Sequence, residues 1–437
     1  MTTLIGPILE SADLGSPARG LSTTARNLEG SEILAIAYDV RDRIARGDDI
    51  LNLTVGDFGR NEFPIPEKLK ERIAHAYDQG HTNYPPATGV PELRSALQGL
   101  FTRRLGLSYP LESFIVGSGG RPMIASAFLA LLDRGEQVVY GVPSWNNDYY
   151  GRIVEAERVE LTTGPETFFF PRAEDFEPYL ETARLFCLNT PQNPTGTVME
   201  PAMLEHLSRR VVEENARRRN QGQPALYILF DQIYWLLTFE GAQHTTPVSL
   251  VPEVAPYTVF ADGISKGFSA TGLRVGWAVG PQDVIHKMGA FLSHLGAWAP
   301  RPEQMGTAAF IEDQGAVDAH LAQMCRRVLE RLRNVADAVN GLKKEGWPVE
   351  CIEPQGAIYL SIRLGLTGRT TSNGRTLNSD EDIRRFILDE AGIALVPFRC
   401  FGVPRDSGWF RASVGAVSEA QCRGIRDRFE RAFRLLT

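Results

Sequence analysis

The sequence has few cysteines and histidines, and neither type is arranged as a disulfide framework or a metal site. The five cysteines include no CxxC pair, and none of the seven histidines belongs to an HExxH motif. Disulfide frameworks use an even set of cysteines, and zinc sites use closely spaced Cys or His ligands. We therefore expect neither structural disulfides nor a bound metal.

Long apolar runs and an excess of basic residues are also missing. No apolar run approaches the roughly 20 residues that span a bilayer, and residues 1–10 lack the basic start and apolar stretch of a secretory signal. The formal net charge of -7 disfavours a nucleic-acid-binding protein. The sequence thus predicts a cytoplasmic protein that binds neither membranes nor nucleic acids.

The middle of the chain alternates short apolar runs with longer helical stretches. Predicted strands lie at 113–116, 137–140, 158–161, 185–188, 227–230, 257–260 and 277–279. Helices are predicted between most of them, for example at 122–133 and 201–220. This rhythm predicts an α/β fold with a mostly parallel seven-stranded sheet covered by helices. Such sheets bind ligands at the carboxyl ends of their strands.

The two ends of the chain have a different pattern, and 437 residues exceed one ordinary hydrophobic core. The predicted elements there are helices at 31–45, 66–79, 90–105, 320–345 and 421–436, and strands at 50–56, 357–362 and 393–396. We therefore divide the chain into an N-terminal arm (1–20), a large domain (59–317) and a small α+β domain formed by 21–58 and 318–437.

Lys266 stands among small residues after an apolar run, and Arg274 follows eight residues later. A lysine in a partly desolvated pocket beside a second cation has a lowered pKa and can act as an amine nucleophile. By itself, however, a lysine in a Ser/Gly-rich segment is better interpreted as a solvated loop residue. The other segments of the chain decide between these interpretations.

Three of the predicted strands are followed by residues suited to binding. Gly119, Gly120 and Arg121 follow the first strand and open a helix, which suits a phosphate, although a tight glycine turn fits equally well. Asn193 follows the fourth strand between two prolines, where an ordinary loop is the alternative. Asp231 follows the fifth and, if buried, needs a cation, either a protonated ring nitrogen or a structural salt-bridge partner.

Taken together and in order, these segments resemble the fold type I pyridoxal-phosphate enzymes, specifically the class I/II aminotransferases related to aspartate aminotransferase. The resemblance is carried by Asn-Pro-Thr-Gly at 193–196, Asp-x-x-Tyr at 231–234, Ser-Lys at 265–266 and the arginine eight residues later. It extends from about Leu21 to the C-terminus. It implies the cofactor pyridoxal 5′-phosphate and transfer of an amino group from an acidic or aromatic L-amino acid to a 2-oxo acid such as 2-oxoglutarate.

The resemblance also implies roles for individual residues around the cofactor ring. Lys266 would form a Schiff base with the cofactor and move the proton during the reaction. Asp231 would keep the pyridine nitrogen protonated, which makes the ring an electron sink. Asn193 and Tyr234 would hydrogen-bond the phenolic oxygen, and Trp145 would stack on the ring, although it could also be a core tryptophan.

For the phosphate, the resemblance implies Gly119, Gly120, Arg121 and Arg274. Family members often place a serine three residues before the lysine for this purpose, whereas this chain has Gly263. One hydrogen bond to the phosphate is therefore missing or replaced, with Arg121 as a candidate.

Substrate binding and assembly are implied in the same way. Arg411 resembles the small-domain arginine that holds the substrate α-carboxylate, and Gly56 resembles the backbone donor to that carboxylate. Trp145 and Asn193 would border the same substrate. Tyr84 resembles the tyrosine that reaches the phosphate of the other subunit, which implies a homodimer.

Two questions stay open on the sequence alone. Arg301 and Arg399 are candidates to contact the substrate side chain, and both are equally well interpreted as surface residues. A carbon–sulfur lyase or other β-eliminase uses the same cofactor chemistry and is the alternative to an aminotransferase. A pyridoxal-phosphate-binding regulatory protein is a third, non-catalytic interpretation.

Overall fold

The computed structural model describes residues 20–437, so the predicted arm (1–20) lies outside the described residues except for Gly20. The helices are α1 (Thr23–Asn27), α2 (Glu32–Ala45), α3 (Glu67–Asp78), α4 (Pro91–Leu105), α5 (Gly120–Leu131), α6 (Asn147–Ile153), α7 (Ala173–Phe176), α8 (Pro201–Asn220), α9 (Pro247–Leu250), α10 (Ile264–Gly267), α11 (Gln282–His294), α12 (Arg301–Glu312), α13 (Gln314–Lys344), α14 (Asp380–Phe386), α15 (Glu419–Arg423) and α16 (Ile425–Phe433). The strands are β1 (Leu51–Asn52), β2 (Phe114–Gly117), β3 (Gln137–Val142), β4 (Glu157–Thr162), β5 (Ala183–Asn189), β6 (Tyr227–Asp231), β7 (Thr258–Gly263), β8 (Gly276–Val279), β9 (Val349–Cys351), β10 (Tyr359–Leu364), β11 (Ile393–Ala394), β12 (Val396–Pro397) and β13 (Trp409–Ser413).

The central sheet has seven strands in the order β2-β8-β7-β6-β5-β3-β4. Strand β8 is antiparallel to both of its neighbours, and the remaining pairs are parallel. All seven strands predicted from the sequence are present, and most of their residues are buried. Their continuous apolar runs follow from this position, because a sheet covered on both faces buries every side chain of its inner strands.

Helices cover both faces of this sheet. Alternate residues of one strand enter different cores: Leu229 of β6 packs with α5 and α11, whereas Phe230 packs with α4, α8 and α12. This period of two is the geometry of a strand. The predicted α/β fold is therefore confirmed.

The small domain combines the two ends of the chain. Strands β12, β13, β10 and β9 form an antiparallel sheet, and β1 pairs with β11 in parallel. Its core contains side chains from α13, α16 and β10, including Leu332, Phe429 and Ile362. Val40 and Ile50 from the N-terminal segment pack on Leu388 and Ala394. The smaller α+β domain predicted from both termini is thus present.

Helix α13 connects the two parts. It begins six residues before the predicted helix start at 320, and its side chains change core along its length. Val317 and Leu321 belong to the large-domain core, whereas Met324 and the residues after it belong to the small-domain core. The boundary at 318 itself stays a prediction.

The predicted strand at 50–56 is wrong after Asn52, because β1 ends there. The carbonyls beyond it bond to β13 instead of continuing a β-ladder with a neighbouring strand. The Leu53 carbonyl accepts from Ser413 N (2.9 Å) and the Thr54 carbonyl from Arg411 Nη2 (2.5 Å). The predicted last helix is also divided in two at Gly424. In residues 20–437, no helix is both long and apolar enough to cross a membrane.

Candidate active site

A cavity of about 410 Å³ lies at the carboxyl ends of the central strands, between the two domains. Many of the residues that line it follow the ends of the central strands, and the others come from the segment 54–57, from α5, from α2 with Ser31 before it, and from strands β10 and β13 of the small domain. The lining residues are Ser31, Ile33, Leu34, Ala37, Thr54, Val55, Gly56, Asp57, Gly120, Arg121, Ile124, Trp145, Asn189, Asn193, Asp231, Ile233, Tyr234, Ser265, Lys266, Thr271, Arg274, Tyr359 and Arg411. Residues far apart in sequence therefore meet at the sheet edge predicted to bind a ligand.

Lys266 lies on α10, directly after β7, and its amine points into this cavity. Nζ donates a hydrogen bond to the Gly56 carbonyl (2.6 Å) and lies 5.5 Å from the centre of the Tyr234 ring. Burial lowers its pKa to about 8; the carboxylate of Asp57 opposes this shift, and the guanidinium of Arg411 adds to it. A lysine with a pKa near neutrality is an effective nucleophile and base.

The lowered pKa of Lys266 predicts how the stability of the cofactor-free protein depends on pH. The pKa is about 8 in the folded state and 10.5 in an ordinary lysine. Below pH 8 the Lys266 amine is protonated in both the folded and the unfolded protein, and its buried charge destabilises the fold in full. Between pH 8 and 10.5 the folded protein has released this proton and the unfolded protein still holds it, so stability rises with pH. We expect the free energy of unfolding to rise over this pH range in the wild type, and we expect this contribution of Lys266 to be missing in Lys266→Met. Urea titrations from pH 7 to 10 measure it, and a wild-type-to-variant difference independent of pH would contradict it.

Asp231 ends β6 beside the lysine. Its Oδ1 accepts from the Ile233 backbone N–H (3.1 Å), and its own carbonyl accepts from Asn189 Nδ2 (2.9 Å). Within residues 20–437, no lysine, arginine or histidine comes within salt-bridge distance of the carboxylate, and burial raises its pKa to about 6. A desolvated carboxylate without a cation is unfavourable unless a cationic ligand group joins it.

Asn193 connects the lysine side of the cavity to Arg411. Its Oδ1 accepts from Arg411 Nη1 (3.0 Å), and its backbone N–H donates to Asn189 Oδ1 (2.8 Å). The side chain is therefore fixed with its oxygen already bonded. Its Nδ2 group is the part that is left to donate toward the cavity.

Arg411 is 1% exposed and comes from the antiparallel sheet of the small domain. Its guanidinium lies between the rings of Tyr359 (4.8 Å) and Phe401 (4.9 Å), which fixes its plane. Nη2 donates to the Thr54 carbonyl, whereas Nε has no partner in the described part of the chain. A buried guanidinium with an unpaired donor suits a carboxylate ligand.

The segment before α5 approaches Arg274 closely. Gly119 has φ +96°, and a Cβ there would overlap Arg274 Nη2, so only glycine fits. Arg274 is held by the carbonyls of Thr271 (2.7 Å) and Ser118 (3.0 Å). No side chain caps α5, whose first residue, Gly120, lines the cavity. Free backbone N–H groups beside a guanidinium form an anion-binding corner.

Gly263 has a packing explanation in the structure. A Cβ at this position would lie 2.8 Å from the Val275 carbonyl oxygen and 3.0 Å from Gly276 Cα. The backbone at Val275 and Gly276, where β8 begins, therefore leaves no room for a serine. Whether another group replaces the missing phosphate ligand stays a prediction.

Arg121 and Trp145 lie together on the other side of the cavity. The Arg121 guanidinium stands 5.5 Å from the centre of the Trp145 ring, and Nη2 donates to Asn146 Oδ1 (3.0 Å). Arg121 therefore extends toward Trp145, and its predicted phosphate role stays a prediction.

Besides Gly119, which directly precedes the lining residue Gly120, three of the residues considered from the sequence do not line the cavity. Tyr84 is 82% exposed and packs edge-on against Trp298 (5.3 Å between ring centres). Arg301 begins α12, away from the cavity. Arg399 lies in a neighbouring pocket together with acidic residues such as Glu32. Within one chain, neither arginine lines this cavity.

The structure also adds residues that the sequence did not single out. Tyr359 lines the cavity and contacts Tyr234, and Asp57 accepts from Thr271 Oγ1 (2.6 Å). Helix α2 adds an apolar wall formed by Ile33, Leu34 and Ala37. Asp57 could have been found from the sequence, because it directly follows the candidate residue Gly56. Tyr359 and the residues of α2 reach the cavity only through packing between the domains.

The family model that matches this chain and a curated relative that aligns with it both represent aminotransferases. The model of the family described as aminotransferase class I and II matches residues 48–429. An aspartate/prephenate aminotransferase of Thermus thermophilus is 32% identical over 415 residues, which cover 94% of this chain and 98% of that protein.

Solved structures are similar over almost the whole chain. Aspartate aminotransferase from Thermus thermophilus with maleate superposes with a TM-score of 0.83 at 29% identity, covering 95% of this chain and 100% of that one. Aromatic aminotransferase from Pyrococcus horikoshii gives 0.78 at 25% identity, covering 90% and 98%.

Proposed function

The chain belongs to the class I and II aminotransferases, and on that premise we propose that it uses pyridoxal 5′-phosphate to transfer an amino group from an acidic or aromatic L-amino acid to a 2-oxo acid such as 2-oxoglutarate. Amino-acid transamination is the activity shared by its relatives. One observation carries the proposal: a single cavity holds the lysine amine, a carboxylate without a cation and a buried guanidinium with an unpaired donor.

The residues of the cavity fit this cofactor. The amine of Lys266 suits an aldehyde, and the carboxylate of Asp231 suits a protonated pyridine nitrogen. Gly119, Gly120 and Arg274 form a corner into which a Cβ at residue 119 would intrude, and this corner suits the phosphate. Each part of the cofactor therefore has a matching group of the protein.

When bound, pyridoxal phosphate supplies an aldehyde carbon that accepts the amino group and a ring that withdraws electrons from the substrate Cα. Lys266 would hold the cofactor through its amine and would accept the proton from the substrate Cα. Asp231 would stabilise the positive ring nitrogen. Asn193 and Tyr234 would donate to the phenolic oxygen, and Trp145 would pack against the ring.

We place the substrate α-carboxylate at Arg411. Its aromatic neighbours hold the guanidinium plane, so the unpaired donor keeps its direction when the ligand arrives. Gly56 belongs to the adjacent segment, where its carbonyl accepts from Lys266 (2.6 Å). Because Arg411 and Gly56 come from the small domain, binding of the carboxylate favours a closed arrangement of the two domains.

The substrate side chain is proposed to lie between Trp145 and helix α2. Ile33 and Leu34 make this wall apolar, which suits an aromatic ring, and Arg121 beside Trp145 offers a positive charge to an acidic group. Both substrate classes occur among the relatives, whose names include aspartate, prephenate and aromatic aminotransferases. The lyase alternative has no such support.

We also propose a homodimer in which Tyr84 reaches the phosphate of the partner's site. The supporting observation is that this tyrosine is 82% exposed although it is a large aromatic residue. A monomer in sedimentation equilibrium would rule out this contribution. A cytoplasmic location stays a prediction.

The substrate is identified by following the visible absorbance of the cofactor-loaded protein while amino acids are added one at a time. Acidic or aromatic amino acids are expected to remove the lysine-bound cofactor band, and 2-oxoglutarate is expected to restore it. Release of pyruvate and ammonia from a β-substituted amino acid, with the band returning without any added oxo acid, would instead identify an eliminase.

Asp231→Asn tests the proposed partner of the ring nitrogen. We expect turnover at saturating cofactor to fall by roughly 10²- to 10⁴-fold, because removing one partner of a buried ion pair costs about 3–5 kcal/mol. The cofactor-free variant is expected to be at least as stable as the wild type at pH 8, since burial of the Asp231 carboxylate is unfavourable there. Steady-state kinetics and urea unfolding check both parts; unchanged turnover would contradict the assignment.

A further inference from the structure

Tyr359 is the first residue of β10 and is 1% exposed, yet its hydroxyl reaches the cavity. Its Oη lies 2.5 Å from Tyr234 Oη, and the two rings meet edge to face with 5.4 Å between their centres. This is a short hydrogen bond between two phenols. Tyr359 therefore touches a residue that is proposed to act on the cofactor.

The start of β10 is fastened to the large domain around this contact. Ser361 Oγ donates to the Thr195 carbonyl (2.9 Å), and the Gly356 backbone N–H donates to the Gly196 carbonyl (3.0 Å). The Ala357 N–H donates to the Leu237 carbonyl (2.9 Å) on the loop that follows Tyr234. Tyr359 is thus fixed against the Asn-Pro-Thr-Gly segment, and its hydroxyl has little freedom to leave Tyr234.

The two phenols have one hydrogen bond between them, so one proton stays free for another acceptor. Among the described residues, Tyr359 is the hydrogen-bond partner of Tyr234 Oη, and Tyr234 presents its ring to Lys266. Gly56 crowds the other side of Tyr359 Oη, since a Cβ there would lie 2.6 Å from that oxygen. Tyr234 itself lines the cavity, so the cavity is the direction in which its hydroxyl can donate.

The charge around the pair favours Tyr359 as the donor within it. The Arg411 guanidinium lies 4.8 Å over the Tyr359 ring. A cation beside a phenol stabilises the negative charge that develops when the phenol gives up its proton, so it makes the phenol a stronger hydrogen-bond donor. Donation from Tyr359 in turn polarises Tyr234 and strengthens the bond that Tyr234 makes.

We propose that Tyr359 is a positioning residue that donates to Tyr234 and so directs the Tyr234 proton to the phenolic oxygen of the cofactor. This role presupposes the proposed function. It adds a residue from the small domain, next to the carboxylate-binding arginine, to the group that sets the acidity of the lysine–cofactor link.

The test is a spectroscopic pH titration of the cofactor-loaded protein, in a double-mutant cycle of Tyr359→Phe and Tyr234→Phe. Donation to the phenolic oxygen stabilises the deprotonated lysine–cofactor link, so Tyr234→Phe is expected to raise its pKa by roughly one unit. Tyr359→Phe is expected to raise it by about half a unit. In the Tyr234→Phe background, the second substitution should have no further effect.

Each other outcome overturns part of the account. If Tyr234→Phe shifts the pKa and Tyr359→Phe does not, Tyr359 has no positioning role although the proposed function stands. Equal shifts from Tyr359→Phe in both backgrounds would show an effect that bypasses Tyr234, which also overturns the role. No shift in Tyr234→Phe would remove the proposed contact between Tyr234 and the cofactor, and the role of Tyr359 with it.

Two further variants separate positioning from loss of structure. Tyr109→Phe is the matched control, because Tyr109 Oη has no partner in the described part of the chain and lies outside the cavity. The pKa of the lysine–cofactor link in this variant should equal the wild-type value. Difluorotyrosine at position 359 is a stronger donor and is expected to lower the pKa, the opposite of Tyr359→Phe. A rise with difluorotyrosine would contradict donation from Tyr359.

Discussion

Replacing Lys266 by alanine is expected to reduce transamination by about 10⁴-fold or more. General acid–base catalysis alone contributes roughly 10²- to 10⁴-fold, and this variant also loses the covalent attachment of the cofactor. The alanine removes the amine that lies 2.6 Å from the Gly56 carbonyl and leaves the cavity larger. Kinetics with the amino donor identified from the absorbance panel measures the loss.

Lys266→Arg is the matched control for charge. Arginine keeps the positive charge beside Asp57 but stays protonated, so it can neither form the link nor accept a proton. Both variants are therefore expected to be inactive while binding cofactor without covalent attachment. Activity in the arginine variant comparable to the wild type would show that the reaction needs only a cation at this position.

Arg411→Lys is expected to lower kcat/KM for all amino acids together by roughly 10²- to 10⁴-fold, the range for a buried charge that loses its partner. Lysine cannot form the planar two-pronged contact with a carboxylate, and it cannot fill the space between the Tyr359 and Phe401 rings in the same way. The oxo-acid half-reaction should weaken to a similar degree, because its substrate carries the same carboxylate.

The control for this substitution is Arg363→Lys. Arg363 lies on the neighbouring strand β10, is half exposed and pairs with Glu350 (3.0 Å). Its replacement should leave both half-reactions unchanged. If Arg411→Lys affected one amino acid and spared the others, Arg411 would contact the side chain instead of the shared carboxylate.

The sequence predicted the large domain well, because the evidence for it is local. A fully buried strand is visible in the sequence as a short apolar run. The residues that follow the run, such as Asp231 or Lys266, lie at the carboxyl edge of the sheet whichever strands are the neighbours. Asn193 follows the same logic. All three line the cavity.

Other features depend on contacts between distant segments and could not be predicted in this way. The apolar run at 50–56 is typical of a strand. However, the side chains of Arg411 and Ser413 donate hydrogen bonds to the carbonyls of Thr54 and Val55, so these carbonyls do not pair with a neighbouring strand. Tyr359 was predicted as part of an ordinary strand. Its hydroxyl became relevant only when the small domain placed it against Tyr234.

The central claim is that Lys266 holds the cofactor in this cavity, and borohydride reduction of the cofactor-loaded protein tests it most directly. Reduction fixes a lysine-bound cofactor permanently, and mass spectrometry of the digested protein then locates the modified residue. We predict one pyridoxyl group per chain, on the peptide that contains Lys266, and none after pretreatment with a saturating amino donor. Modification of a different lysine, or a protein that binds no cofactor, would contradict the account.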